Sequence, residues 1–525
     1  MSSRVVALIA FLILGAATVL TAGFLTPWRT APAPDAGAPD AGPPDPGTSG
    51  TRAPAASATP ASGSPASGSP ASGSPASGSP ASGSPASGTR APGSPATPAT
   101  GSPGASASST SSPGASASAP GASAPGAGAP GTRGGGAPDA STDFSDAEIA
   151  RGSAFRAAVR PWSLSRLLVG LIVALALGLT PLGARLIGAA ARPLGGSWWA
   201  EALLGGLVLG LVATIATLPL AARTEVLLRR FGLSTQNWGG WFADQAKGWA
   251  ISAVLTAVVT LVLFALIRAT PDWWWTWAAA GAAAFVFLAS FAFPVLIEPV
   301  FNKFTPMPDS ALRTSILQLA ERDGEPVKDV LIADASRRTT ALNAYVSGYG
   351  ASRRIVIYDT LLKDAPPDEI ESVVAHELGH AVDGDVVTGT VLGALGAAAA
   401  VCGLALLGAW SPLLKRAGVD DLTDPRSLGL LLAIIAVVGA LATPMQAVVS
   451  RRIEARADEH SLELTRDPEA FVSMERRLAL QNRADLRPNP FFQFWFGTHP
   501  TTVERIAAAR EFAAREHLPI PGPAR

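Results

Sequence analysis

The stretch from Val373 to Asp385 reads V-V-A-H-E-L-G-H-A-V-D-G-D and holds two of the chain's five histidines. Residues four apart share one helix face, so His376 and His380 are predicted to bind one metal ion. Zinc suits two imidazole nitrogens and one oxygen, with a fourth position open to water. Glu377 lies beside the pair, where it can act as general base on water. The alternative is a helix with two hydrogen-bonded surface histidines.

A third ligand has to come from elsewhere in the chain. In S-R-R-I-E-A-R-A-D-E-H (450–460), Glu454 and Asp458 are four apart on a helix expected to continue from an apolar run. We expect Glu454 to bind the metal and Asp458 to accept a hydrogen bond from the ring nitrogen of a histidine ligand that does not bind the metal. His460 is the rival ligand, although it faces elsewhere, and a solvated charge pattern is the alternative to both. The single cysteine, Cys402, excludes a disulfide framework and a cysteine-based zinc site within one chain.

Two polar segments, 298–386 and 450–525, must position these residues. We expect the zinc where a 368–386 helix, opened by Pro366-Pro367-Asp368, meets the helix that continues from the last apolar run. Ahead of it, the pattern predicts a helix over 309–322 and strands over 327–334, 341–350 and 354–362.

Seven apolar stretches are long enough to cross a bilayer, which takes about 20 residues. Arg185 indicates that the end of the second leaves the bilayer, and a tryptophan cluster at 273–277 indicates an interface. The first is predicted to be a retained span, with a cleaved signal peptide as the alternative. The stretches are 5–25, 167–190, 202–222, 249–269, 274–297, 387–410 and 428–449.

Residues 30–142 are almost entirely Ala, Pro, Ser, Gly and Thr, and P-A-S-G-S repeats from Pro60 to about Gly88. So few large apolar side chains cannot offset the entropy of ordering, which predicts a disordered linker. The formal net charge is 0, so nothing argues for a nucleic-acid partner.

Arginine and lysine predict the orientation in the membrane. Segments 223–248, 298–386 and the one after the last span are rich in them, and alternating spans place all three on the cytoplasmic side. A retained first span puts the linker inside as well, whereas a cleaved signal leaves it outside.

The motifs together resemble the type 1 CAAX prenyl protease family of integral-membrane zinc endopeptidases. The first resemblance is H-E-L-G-H (376–380), followed by a span and E-A-R-A-D (454–458). It covers about 144 to 510, and seven spans match the family's count, whereas the long linker departs from it. Further matching stretches are E-P-V-F-N-K-F-T-P-M (298–307), N-A-Y-V-S-G-Y-G with R-I-V-I-Y-D-T-L-L (343–362) and F-G-T-H-P-T-T-V-E-R-I (496–506).

The resemblance implies one zinc ion per chain, bound by His376, His380 and Glu454, with Glu377 activating water. It also implies that two further groups of residues contact the substrate. Asn343 and Ala344 would lie on an edge strand that pairs with extended substrate. His499 and Arg505 would reach the substrate backbone or the oxyanion.

The residues after His499 have a second interpretation that needs no catalysis. Taken alone, His499 would be a structural or surface histidine, and Thr501 with Glu504 predicts a helix capping box. Both interpretations can hold together.

These observations predict a mainly α membrane protein. Its bundle of about seven transmembrane helices carries a small α+β zinc metalloprotease domain, inserted between spans five and six and completed by the C-terminal segment. The expected units are a membrane anchor (1–29), the linker (30–142), four spans (143–297), the catalytic insert (298–386), a two-span hairpin (387–449) and the C-terminal catalytic segment (450–525).

The predicted function is a membrane-embedded zinc endopeptidase acting on peptide or protein substrates in the bacterial plasma membrane, with its site facing the cytoplasm. One alternative is a site-2-type intramembrane protease, but acidic residues flank the motif where an apolar span would be expected. The other is a non-catalytic zinc-bound sensor or scaffold, which would need no general base such as Glu377.

Overall fold

The computed structural model describes residues 2–25, 138–325, 327–348 and 350–523. They form a bundle of long helices and a small unit of helices and strands. Most of the linker predicted at 30–142 lies outside the described residues. Its last five residues are described, and they form a short 3-10 turn at Ala140–Thr142 whose Ala140 packs into a hydrophobic core. The last residues of the predicted linker are therefore part of the folded unit.

The first half of the described chain forms seven helices. A π-helical turn at Phe293–Ile297 joins the last two. The helices are α1 (Ser3–Leu25), α2 (Asp146–Gly178), α3 (Leu182–Ala191), α4 (Trp198–Arg230), α5 (Trp238–Ala269), α6 (Trp274–Ala292) and α7 (Glu298–Phe301).

The second half contains the sheet and nine further helices. Its first part is β1 (Phe304–Pro306), α8 (Ala311–Arg322), β2 (Asp329–Ala333), β3 (Ala344–Ser347), β4 (Arg354–Tyr358), α9 (Asp359–Asp364) and α10 (Pro367–Val382). Its second part is α11 (Asp385–Gly408), α12 (Ser411–Ala417), α13 (Leu428–Thr465), α14 (Pro468–Gln481), α15 (Pro490–Phe496) and α16 (Thr502–Arg515).

Seven of the described helices are long and apolar enough to cross a membrane, namely α1, α2, α4, α5, α6, α11 and α13. The predicted mainly α bundle of seven spans is thereby confirmed. The boundaries of the second span were wrong, because α2 ends at Gly178 and the rest of the predicted run 167–190 is the separate helix α3. Pro181 has no backbone N–H and disfavours helix at the residue before it, so the helix breaks there.

Small residues allow two close contacts between these helices. A Cβ atom on Gly178 of α2 would lie 2.5 Å from the carbonyl oxygen of Gly429 on α13, so only glycine permits this approach. The helix α1 packs along α11, where a Cβ atom on Gly403 would lie 3.3 Å from the Phe11 ring. In the described chain, α1 is therefore seated against the bundle.

The four described strands form one mixed sheet in the order β1-β2-β4-β3. β2 and β4 are parallel, whereas β3 pairs antiparallel with β4 and forms an edge. Sequence analysis predicted β2, β3 and β4 with longer bounds and did not predict β1. The predicted strand 354–362 ends at Tyr358, because α9 begins at Asp359.

The sheet and α10 share a core with the C-terminal helices. Val330, Ile355, Val374, Phe471 and Ile506 are all buried in it. The residues just before α2 join this core through Phe144. The result is a rigid support for α10, the helix that carries the histidine motif.

Candidate metal centre

The two histidines of the motif lie on one face of α10. This helix begins with Pro367, and Asp368 and Glu369 follow in its first turn, where acidic residues complement the helix dipole. The rings of His376 and His380 are 4.9 Å apart and nearly perpendicular. The spacing of four residues thus brings both imidazoles to one point, as helical periodicity predicts.

Glu454 reaches the same point from α13. One ligand atom from each of His376, His380 and Glu454 lies within 4.8 Å of the other two. Nε2 of His376 is 3.3 Å from Oε2 of Glu454, and Nε2 of His380 is 3.9 Å from Oε1. The helix α13 runs without interruption from its apolar segment to Thr465, so the last membrane helix itself carries Glu454.

A carboxylate holds the other nitrogen of each imidazole. Nδ1 of His376 lies 2.9 Å from Oδ1 of Asp458, and Nδ1 of His380 lies 2.9 Å from Oδ2 of Asp385. Both Nε2 atoms are therefore directed towards Glu454, the arrangement usual for histidines that bind a metal.

The charges around the imidazoles favour a cation. Burial alone would lower the pKa of His376, but the neighbouring carboxylates of Asp458 and Glu454 raise the pKa to about 10. Burial likewise opposes protonation of His380, whereas the hydrogen bond to Asp385 raises its pKa. Carboxylates that favour a proton here also favour a metal ion in the same place.

The donor set fits a zinc ion. Ligand atoms bound at about 2.0–2.1 Å in a tetrahedron lie about 3.3 Å from one another. The His376–Glu454 separation has this value. Oε2 of Glu454 is buried, and among the described residues no well-oriented hydrogen bond reaches it. A buried carboxylate oxygen that faces imidazole nitrogens without a hydrogen bond is suited to bind a cation.

Glu377 lies next to these ligands and lines the cavity in front of them. Burial raises the pKa of its carboxyl group, an effect that the nearby imidazoles His376 and His380 partly offset. A raised pKa suits a group that must accept a proton and then return it.

His499 also faces the centre, from the segment that precedes α16. Its Nε2 is 3.1 Å from Oε2 of Glu454, and its Nδ1 is 2.9 Å from Oγ1 of Thr498. Burial lowers the pKa of His499, so the imidazole is neutral at neutral pH. If the Thr498 hydroxyl donates to Nδ1, the ring proton lies on Nε2, on the side of the ring that faces Glu454. The predicted capping box of Thr501 and Glu504 at the start of α16 is confirmed.

Arg505 is placed behind the centre. Its Nε and Nη2 donate to the two oxygens of Asp458, the first at 2.7 Å. Its Nη1 lies 2.6 Å from Oε1 of buried Glu475. All three nitrogens therefore face carboxylates, and the side chain also lines the cavity.

The edge strand β3 runs beside α10. Asn343 directly precedes the strand and lines the cavity, whereas Ala344 is its first residue and is buried. Val346, two residues further, offers a backbone hydrogen bond to Glu377. An extended peptide added at this edge would pass the metal ligands.

Two protein-family models together match most of the chain from residue 147 to residue 513. Residues 306–513 match the family model of peptidase family M48. Residues 147–303 match the model described as CAAX prenyl protease N-terminal, five membrane helices.

The chain belongs to peptidase family M48. The chain is 33% identical to the uncharacterized metalloprotease YhfN of Bacillus subtilis over 313 residues, 59% of this chain and 74% of that protein. It is 30% identical to a CAAX prenyl protease 1 homolog of Arabidopsis thaliana over 298 residues, 54% of this chain and 67% of that protein. The crystal structure of S. mikatae Ste24p has the same fold, with a TM-score of 0.64 at 24% identity, over 70% of this chain and 90% of that chain.

Membership of family M48 makes the chain a membrane metalloendopeptidase and implies a bound metal, typically zinc. The predicted family, enzyme class and membrane setting are confirmed. The site-2-type and non-catalytic alternatives are not favoured.

The M48 site opens into a large cavity of about 1650 Å³, above the usual range for small-molecule pockets. Its walls include His376 and Glu454 at one end, and Gly393 of α11 and Ile435 of α13 within the membrane bundle. Thr18 of α1 contributes as well. The catalytic chemistry is thus connected to the interior of the bundle.

Sequence reasoning did not single out Asp385, although it orients His380. Gly384 has φ 65° and separates α10 from α11, and this turn brings Asp385 back towards the motif. Arg456 pairs with Asp385 and with Asp383, both at 2.5 Å. The sequence D-G-D (383–385), directly after the motif, was the feature that could have predicted this turn and the role of Asp385.

The rival ligand His460 points elsewhere. Its Nε2 lies 3.0 Å from Oδ1 of Asp323, at the end of α8. Its ring packs against Gly379, where a Cβ atom would come within 3.1 Å of His460. His460 thus lies against the motif helix and takes no part in the cluster around Glu454.

Proposed function

We propose that this protein is an endopeptidase that binds one zinc ion per chain through His376, His380 and Glu454. The observation that carries the proposal is the convergence of these donors with both Nδ1 atoms held by carboxylates. Asp458 and Asp385 would fix the orientation of the imidazoles and raise their basicity towards the metal.

Zinc, when bound, supplies a Lewis acid that polarises the scissile carbonyl and lowers the pKa of water. Glu377 accepts a proton from the attacking water and passes it to the leaving amine. Its position beside the ligand pair and its raised pKa support this role.

His499 would stabilise the oxyanion that forms as water adds to the carbonyl. A neutral imidazole with its proton on Nε2 is a hydrogen-bond donor aimed into the site, and such donors act most strongly on developing charge. Arg505 would act through Asp458 rather than on the substrate, because its nitrogens face Asp458 and Glu475.

Substrate would bind as an added strand on β3. Antiparallel pairing with β4 leaves the other edge of β3 unpaired among the described strands. Asn343 and Ala344 lie at the start of this edge, and main-chain pairing here would present the scissile bond to the centre.

We further infer that the site faces the cytoplasm of a bacterial plasma membrane. Basic residues on the same side as the catalytic segments support this orientation, including Arg229 and Arg230 at the end of α4 and Arg451 and Arg452 on α13. On this arrangement the insert 298–386 and the segment 450–525 form one catalytic unit, which the hairpin 387–449 connects.

The experiment compares purified wild-type protein with Glu377→Gln. We expect the variant to retain zinc by metal analysis and to lose about 100- to 10,000-fold of its peptidase rate, because only the proton acceptor is removed. Full activity of a zinc-loaded Glu377→Gln protein would exclude this mechanism.

The substrate class needs a separate comparison. The Arabidopsis relative is named a CAAX prenyl protease 1 homolog, and the cavity here extends between apolar helices. A housekeeping role on misfolded membrane proteins or short peptides is the other candidate. Peptide pairs that differ only by a farnesyl group on cysteine would separate the two, since only a prenyl-specific site would cleave the modified member much faster.

A further inference from the structure

The short helix α15 is unusually aromatic for a segment outside the membrane spans. Its sequence is P-F-F-Q-F-W-F, and none of its residues is buried in the described part of the chain. Phe491 and Phe494 are three apart, on one face, and are 57% and 52% exposed. Two exposed aromatic rings on one helix face are a candidate interaction surface, because water is an unfavourable neighbour for them.

Two arginines that border the apolar segments of membrane helices hold α15 in place. Nη1 of Arg451 on α13 donates to the carbonyl of Gln493 at 2.9 Å. The guanidinium of Arg160 on α2 lies 4.5 Å from the centre of the Phe492 ring. Arg451 directly follows the apolar part of α13, and Arg160 precedes the apolar part of α2. The helix is therefore at the level where two spans leave the bilayer.

The two sides of α15 have different surroundings. Phe492, Gln493 and Phe496 line the cavity that contains the metal ligands. Phe491 and Phe494 lie on the exposed side. The helix is thus a thin wall with the catalytic cavity behind it.

Another exposed aromatic side chain lies close to the same level. Trp162 is two residues beyond Arg160 on α2, is 37% exposed and has the guanidinium of Arg223 from α4 5.4 Å from its ring centre. Aromatic rings beside arginines are typical of the boundary between lipid headgroups and acyl chains.

We propose that α15 is an interfacial helix whose Phe491–Phe494 face inserts into the headgroup–acyl boundary of the bilayer. Lipid is the occupant because Arg451 and Arg160 attach α15 where the apolar segments of α13 and α2 end, the depth at which headgroups meet acyl chains. The inference does not depend on the proposed peptidase mechanism, since it uses only exposure and the attachment of α15. It makes the wall of the catalytic cavity a part of the membrane interface.

The test measures the depth of this face in full-length protein in lipid nanodiscs. Cys402 is the chain's single cysteine, so a Cys402→Ser background accepts one spin label at Phe494→Cys. Collision with oxygen, which concentrates in lipid, is compared with collision with a water-soluble nickel chelate. Leu441→Cys on α13, where the native residue is 67% exposed, is the lipid control, and Glu511→Cys, on the exposed surface of α16, is the water control.

We expect the label at 494, like the label at 441, to collide more often with oxygen than with the nickel chelate. Its ratio of the two collision rates should correspond to a shallower depth in the bilayer than that of the label at 441. A label at 494 as accessible to the nickel chelate as the label at 511 would overturn the proposal. Strong dipolar coupling between labels in discs that hold two copies would also overturn it, because a second copy would then cover α15. Phe491→Cys repeats the measurement on the same face should Phe494→Cys fail to fold.

Discussion

Nη1 of Arg505 lies 2.6 Å from Oε1 of Glu475, while the other two nitrogens of the same guanidinium donate to Asp458. Asp458 also holds Nδ1 of His376 at 2.9 Å. Glu475 thus shares the positive charge of Arg505. Asp458 is then a stronger acceptor towards His376 than it would be if it alone neutralised the guanidinium.

Glu475→Gln should weaken zinc binding about tenfold, the lower end of the effect of outer partners of metal ligands. Burial raises the pKa of Glu475 to about 7, so the carboxyl is neutral below that pH and charged above it. The difference in zinc affinity between wild type and variant should therefore grow as pH rises through about 7 and vanish in acid. Competition with a fluorescent chelator across this pH range measures it.

Glu369→Gln is the matched control for Glu475→Gln. Both native glutamates are 2% exposed and pair with an arginine, but Glu369 pairs with Arg477, away from the metal ligands. Glu369→Gln should lower thermal stability and leave zinc affinity unchanged. Equal loss of affinity in both variants would show that the effect is only structural.

Asp385→Asn should weaken zinc binding about 10- to 100-fold, because the amide no longer stabilises the Nδ1–H tautomer of His380. Asp383→Asn is its control, since both aspartates pair with Arg456 and only Asp385 reaches His380. Isothermal titration of zinc would compare the two variants. Wild-type affinity in Asp385→Asn would argue that the contact is incidental.

His499→Ala should lower kcat about 100- to 1000-fold and leave zinc content unchanged, because an oxyanion donor is lost and no ligand is removed. His460→Ala serves as the control, as its side chain pairs with Asp323 instead of entering the cluster. Peptidase kinetics and metal analysis would be run on both. Loss of zinc from His499→Ala would instead identify His499 as a ligand.

We expect α1 to be retained as a span. The family model matched by 147–303 is described with five membrane helices, and in this chain that range carries four, α2, α4, α5 and α6, which leaves α1 as the candidate for the fifth. A short thiol-reactive cross-linker that contains a disulfide should join Phe11→Cys to Gly403→Cys in a Cys402→Ser background, because a Cβ atom on Gly403 would lie 3.3 Å from the Phe11 ring.

A protease site inserted between residues 26 and 137 makes the cross-link visible. After cleavage, the two fragments should migrate together without reductant and separate with it. Val19→Cys, which replaces an exposed residue of α1, is paired with Gly403→Cys as the control and should not cross-link. A mature protein that lacks its N-terminal fragment altogether would show that residues 5–25 are a cleaved signal.

Local patterns determined much of what the sequence predicted. Spacing of four along a helix placed His376 with His380 and Glu454 with Asp458, and apolar length gave the seven spans. These features depend on helical geometry and chain composition, which short stretches of sequence specify. The boundary at Gly178 was not predicted, because the apolar run continues past Pro181 without a change in composition. The helix α9 was not predicted, because the residues after β4 continue its apolar pattern.

Only the tertiary structure decided which side chains surround the metal ligands. Asp385 returns to His380 through the left-handed turn at Gly384, and Glu475 meets Arg505 because α14 and α16 pack together. Such contacts join separate helices, and neither the periodicity nor the spacing of residues in the sequence predicts them. The sequence by itself determined the ligand types and the membrane setting. Packing determined that Arg505 supports Asp458 and that His499 faces the cavity, since buried charges need partners that only the assembled fold can bring near.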